Sequence, residues 1–187
     1  MRSWVVGSAT IAPVALIGGW TLAQTRQPVG FSSIRQSISA LAAVGATDRW
    51  VMTTGLLLLG LCHLVTAAGL TDAGRGGRAL LALGGAATVG VAALPQPASG
   101  HVVVAAIALG ALALWPALSV APDRPARVIA AVVLLLLLGW FTFALRGGSL
   151  LGLTERLLAG AEALWPLTVV LMVPRQRQSG PEVVQHG

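Results

Sequence analysis

Six long apolar runs dominate this chain and limit what it can become: Trp4 to Ala23, Trp50 to Leu70, Ala79 to Leu94, His101 to Val120, Val128 to Leu145 and Leu157 to Val173. A helix rising about 1.5 Å per residue crosses a hydrocarbon layer about 30 Å thick in roughly 20 residues. The third run is short for that task; the others approach it. Helices are favoured because a helix satisfies its own backbone hydrogen bonds where water is absent. The alternation that marks a membrane barrel is missing. With 56% hydrophobic residues, 10% charged residues and a mean hydropathy of +0.83, a water-soluble domain of 187 residues would lack the polar surface to cover itself. The predicted fold is an all-α integral membrane bundle of six transmembrane helices over residues 1–173. The tail of residues 174–187 lacks apolar periodicity and is predicted to be disordered and cytoplasmic.

The first run invites comparison with a signal peptide, because Arg2 precedes it and Thr21-Leu22-Ala23 could serve as a weak cleavage site. Its length and Trp20 at an interfacial position favour an uncleaved span. Arginines set the expected orientation. With both termini in the cytoplasm, Arg2, Arg75, Arg78, Arg124, Arg127, Arg175 and Arg177 lie inside, and Arg26, Arg35, Arg49, Arg146 and Arg156 lie outside. The expected location is a membrane whose cytoplasmic side carries both termini. Twelve scattered basic residues, all arginine, do not make the clustered basic and aromatic surface that binds nucleic acid, so no nucleic-acid partner is expected. Cys62 stands alone within an apolar run, which leaves no intrachain disulfide and no cysteine metal site. No cofactor motif stands out, and the oligomeric state is not legible.

The longest polar interruption, Ser32 to Val51, holds the densest chemistry. Ser32 can cap a short amphipathic helix on which Ile34, Ile38 and Leu41 recur at helical spacing, with Gly45 as its stop. An ordinary loop is the rival reading. Beyond it, Thr47 precedes Asp48 and Arg49, Ser99 precedes Gly100 and His101, and Thr154 precedes Glu155 and Arg156. Each is a cap residue followed by ionisable side chains at the start of an even-numbered run, all on the predicted outer face. Helix N-termini converging on one layer favour an anion. Arg35, Ser39, Asp48, Arg49, His101, Arg146, Glu155 and Arg156 therefore form a candidate site for an anionic lipid headgroup, with membrane lipids as partners. Local helix capping and ion pairing would account for the same residues without any site.

Two other chemistries stay open. Asp48, His101 and Glu155 could supply an imidazole and two carboxylates to a metal ion that activates water for hydrolysis, although no diagnostic spacing supports it. Inside the spans, Glu162 lies two turns from Glu155 on one helical face, roughly 10 Å deeper. A charged acid at mid-membrane costs about 3 kcal/mol, so Glu162 is protonated, paired or lining a wet cavity. His63 lies well inside the second run, where an interhelical hydrogen bond competes with a ligand role. If the two face one another, a proton relay and a proton-coupled transporter become conceivable.

Packing signals are simpler. Gly84, Gly85, Ala86 and Gly90 offer a small-residue face, and Leu134 to Leu138 suggest a lipid-facing surface. Ala-Leu-Trp-Pro recurs at Ala113 to Pro116 and Ala163 to Pro166, and Arg78 and Arg127 open the third and fifth runs. These features could mark a duplicated two-helix unit, with Trp115 and Trp165 as interfacial anchors.

Arg-Gln-Ser-Ile-Ser-Ala-Leu from Arg35 to Leu41, Gly-Ala-Thr-Asp-Arg-Trp from Gly45 to Trp50, Cys-His-Leu-Val from Cys62 to Val65, His101 after a Pro-rich turn, and Glu-Arg-Leu-Leu from Glu155 resemble a bacterial multi-pass family, number 998 among domains of unknown function. The resemblance covers nearly the whole chain and implies six helices in the bacterial cytoplasmic membrane. More remotely, the Ile-Ser-x-Leu core is similar to the signature of the Frag1, DRAM and Sfk1 membrane proteins, which implies lipid or GPI-anchor handling. Ala40 stands where those relatives often carry an acid.

Overall fold

The computed structural model describes residues 2–120 and 123–178, with side chains as far as residue 173. Its order is α1 (Ser3–Gln24), α2 (Ile38–Leu41), α3 (Trp50–Gly69), a 3-10 turn (Thr71–Ala73), α4 (Gly74–Ala93), α5 (His101–Leu118), α6 (Arg124–Ala144) and α7 (Leu151–Gln178). Among the described residues all regular structure is helical. The six long helices offer apolar spans of 18 to 23 residues, enough at about 1.5 Å per residue to cross a bilayer. This is a multi-pass membrane protein.

Each long helix packs on its neighbour in sequence, and α7 closes the ring against α1. Small residues permit that closeness. A methyl group added at Gly60 of α3 would stand 2.6 Å from the Gly85 carbonyl oxygen of α4, and one at Gly85 would stand 2.8 Å from the Gly60 carbonyl. Two glycines thus let two backbones touch where lipid supplies no hydrophobic drive for association. The small-residue face expected on α4 is divided: Gly85 faces α3, Gly84 and Gly90 face α5, and Ala86 is exposed. α6 is the outermost helix. Only 17% of its most apolar stretch is buried, against at least 33% in every other span, although Leu134 at the head of its leucine run is buried.

Arg78 and Arg127 play matching parts. Arg78 donates from Nε to the Ala67 carbonyl at 2.7 Å and from Nη2 to the Ala68 carbonyl at 3.0 Å, satisfying the last turn of α3. Arg127 donates from Nη1 to the Ser119 carbonyl that follows α5. Helix C-termini leave carbonyls without intrahelical partners, and a guanidinium supplies both the hydrogen bond and the favourable charge. The Val120 N–H also donates to the Ala73 carbonyl at 3.0 Å, tying these two connections together.

Several local expectations change. α2 spans four residues and is capped by Ser37, whose Oγ accepts from the Ala40 N–H; the Ser32 region forms turns. Gly45 lies beyond α2 in a turn with φ +93°. Ile38 and Leu41 are buried in the bundle, whereas Ile34 is exposed, so α2 dips into the protein and does not lie along a surface. Trp115 is fully buried, so it is not an interfacial anchor, whereas Trp20 is half-buried beside Gly160 of α7. The backbone of α7 continues to Gln178, and the rest of the expected tail lies outside the described residues.

Candidate functional site

Three connections meet at the α2 end of the bundle. The α1–α3 connection reaches the α4–α5 connection through the Val44 N–H, which donates to the Gln96 carbonyl at 2.9 Å. It reaches the start of α7 through the Leu153 N–H, which donates to the Ile34 carbonyl at 3.0 Å. The convergence expected for the even-numbered span openings is therefore present, but it is built around α2 and by different chemistry.

Glu155 and Arg156 clamp α2. Glu155 is buried and accepts from the Ile38 N–H at 2.6 Å, with the N–H and hydroxyl of Ser39 nearby. Its carboxylate thus serves a free N–H at the start of a helix in a neighbouring segment, where negative charge is favoured. Arg156 points Nη1 at the carbonyls of Ser33 (2.7 Å), Gln36 (2.9 Å) and its own Gly152 (2.9 Å). Gly152 makes the contact possible, because a Cβ there would overlap the carbonyl oxygens of Gln36 and Ser33.

Beneath α2 lies a chamber of about 60 Å³. Ile38 and Ser39 form part of its wall at the α2 end, and His63, Thr88, Glu155 and Glu162 are its other polar residues, set among aliphatic side chains of α1, α3, α4, α5 and α7. A water needs roughly 10–15 Å³ by this measure, so the chamber holds a handful of water-sized guests. His63 is fully buried, and both ring nitrogens lack a hydrogen-bond partner among the described residues; Oε1 of Glu162, on a residue 1% exposed, is in the same condition. Buried polar groups without partners cost free energy and are rare in native proteins. Two in one small chamber make it the candidate site of this protein. Toward the opposite end the bundle is sealed by an apolar cluster that includes Val5, Leu70, Leu81, Trp115 and Val169.

The other expected site residues lie apart from this chamber. Asp48 pairs with Arg26 at 3.3 Å, both side chains about half exposed, and adopts φ +48° just before α3, so it is not a first-turn residue. Arg49 lies 4.3 Å from the centre of the Trp50 ring. His101 is buried and turned back, with Nδ1 donating to the Leu94 carbonyl at 2.7 Å. Arg35 and Arg146 are exposed. Thr47, Ser99 and Thr154 cap none of these helices: α3 and α5 start without a side-chain cap, and Thr154 lies inside α7, which begins at Leu151. Among the described residues no three His, Cys, Asp or Glu side chains group closely enough to hold a metal ion. The Asp48, His101 and Glu155 set does not assemble, because each already serves a different local partner.

Residues 10–172 match the family described as "Protein of unknown function (DUF998)". The chain belongs to the DUF998 family. The match runs from within the first span to the end of the sixth and takes in the α2 segment and the Glu155–Arg156 clamp, so the site of this DUF998 protein falls inside the family's extent. No curated protein and no solved structure matches the chain.

Sequence reasoning singled out Ser39, Glu155, Arg156, His63 and Glu162, and all five take part in the clamp or the chamber. It missed Thr88, whose lone hydroxyl in an apolar run is the same kind of signal as His63. It also missed Gly152, which no one-dimensional pattern distinguishes from any other helical glycine.

Proposed function

We propose that this protein is a small-solute carrier of the membrane, with the chamber around His63 and Glu162 as its binding site and α2 as the lid over one end. The supporting observation is that the fully buried His63 and Glu162 meet one cavity, with both His63 ring nitrogens and Glu162 Oε1 unpartnered among the described residues; ionisable groups at such depth characteristically mark solute or proton pathways. We take the α2 end as the outward one, the orientation that the arginine distribution favours.

Thiol accessibility tests this without knowing the solute. With Cys62→Ser as background, Ala159→Cys places a thiol in the chamber wall. A small charged thiol reagent is applied to intact cells and to inverted membrane vesicles. A carrier exposes the position from both sides. Labelling from neither side refutes the reading, and labelling from one side reduces it to a binding site.

A second reading keeps an anionic lipid headgroup at the α2 end. It is supported by Arg156, whose Nε and Nη2 are buried without partners among the described residues. Native mass spectrometry of the purified protein tests it: Arg156→Lys should lower retained anionic lipid, and unchanged lipid rejects this reading.

A further inference from the structure

We infer that the chamber takes a small cation bearing N–H donors, of the size of ammonium or methylammonium; this deepens the carrier reading and rests on the chamber being a binding site. The polar lining has a definite sign. Two carboxyl groups, Glu155 and Glu162, face the space, and none of its lining residues is an arginine or lysine. The nearest guanidinium in sequence, Arg156, directs Nη1 at loop carbonyls. An anionic solute would meet two carboxyl groups and no arginine or lysine as counter-ion, at a depth where water screens poorly.

Hydrogen-bond capacity points the same way. Glu162 offers Oε1, and a neutral His63 offers one acceptor nitrogen and one N–H. Thr88 already donates its hydroxyl proton to the Gly84 carbonyl at 2.8 Å and presents only lone pairs. Glu155 accepts from Ile38 and retains further lone pairs. The chamber is rich in acceptors and poor in donors, so its complement carries several N–H groups and positive charge. Size then narrows the class. About 60 Å³ admits a handful of water-sized centres, which suits a guest of one to a few heavy atoms and excludes sugars, nucleotides and amino acids with long side chains.

The test uses the purified full chain at constant ionic strength, with ammonium, methylammonium and potassium chlorides as probes. Potassium matches ammonium in charge and approximate size but has no N–H. Thermal unfolding and equilibrium binding of radiolabelled methylammonium are measured together. Ammonium and methylammonium should raise the unfolding temperature saturably, potassium should not, and Glu162→Gln should weaken methylammonium binding at least tenfold while Glu162→Asp retains part of it. Equal stabilisation by potassium, absence of methylammonium binding, or binding unchanged in Glu162→Gln overturns the assignment. If Glu162→Gln fails to fold, the ammonium and potassium comparison on the unmodified protein decides. Labelling at position 159 from both sides without methylammonium binding overturns the cation and leaves the carrier standing.

Discussion

Adding one methyl group at Gly152 should open the α2 lid while leaving the six-helix bundle folded. The Cβ of Gly152→Ala would overlap the carbonyl oxygens of Ser33 and Gln36 and stand 2.8 Å from Nη1 of Arg156. The overlap is with backbone and with a bonded guanidinium, so the loop must move away. That movement breaks the Arg156 bonds to Ser33 and Gln36 and strains the bond from the Leu153 N–H to the Ile34 carbonyl. A hydrogen bond to a charged group contributes about 1.5–3 kcal/mol, and the low end applies because Arg156 is partly exposed. Two such bonds give about 3 kcal/mol, roughly a hundredfold shift in the opening equilibrium. Amide hydrogen exchange of peptides covering residues 33–42 reads that equilibrium directly. Exchange there should quicken by about that factor, while the middles of α3 and α4 stay as protected as before. Gly110→Ala, with open space around its Cβ, serves as control. Exchange within threefold of the unmodified protein in a folded Gly152→Ala would refute the clamp.

Other perturbations probe the framework. Gly60→Ala places a Cβ 2.6 Å from the Gly85 carbonyl and 2.9 Å from the Val89 nitrogen, and should destabilise by about 1–3 kcal/mol in thermal unfolding, whereas Gly7→Ala, in open space, should not. Arg78→Ala removes two charged hydrogen bonds from the end of α3 and should cost about 3 kcal/mol, with local exchange rising at Ala67 to Leu70. Trp115→Ala empties a fully buried site and should cost about 3–5 kcal/mol, while Trp115→Phe should cost far less because its buried indole N–H has no partner to lose among the described residues. Asp48→Asn breaks a pair whose side chains are 53% and 52% exposed and should change stability by less than about 1 kcal/mol.

The spans were legible because each apolar run is long enough to be compelled into a helix by the absence of water, whatever its neighbours do. The clamp was legible only in part. Glu155 and Arg156 stand out as ionisable residues beside an apolar run, but their partners are the Ile38 N–H and the carbonyls of Ser33 and Gln36, more than 110 residues away in sequence. Backbone groups carry no sequence signature, and α7 begins six residues before its apolar run because those contacts satisfy its polar first turns. The same reasoning explains why the predicted headgroup set came apart. Asp48 and His101 look alike in sequence, each beside a small polar residue at a span opening. Yet the φ of +48° at Asp48 turns it toward Arg26, while the bond to Leu94 turns His101 into its own loop. Hydropathy locates an end of a helix but not the direction of a side chain there.

The two ends of the bundle are fastened by different means, and that difference decides which end can move. At the end away from α2, Arg78 and Arg127 fasten helix C-termini from within the adjacent helices, and the interior is an apolar cluster with Trp115 at its centre. Moving that end would uncover large side chains and free carbonyls together. At the α2 end the covering segment is a four-residue helix held by one carboxylate, one guanidinium and the buried side chains of Ile38 and Leu41. Glu155 is common to both structures there: it holds the Ile38 N–H and it faces the chamber. In the carrier reading, a guest that draws on the Glu155 oxygens would compete with α2 for the same lone pairs, which would link occupancy to closure, and by reciprocity anything that loosens α2 would alter the affinity of the chamber. A carboxylate placed only to cap α2 would have no need to face a cavity containing His63 and Glu162; its double position is what joins the clamp to the chamber.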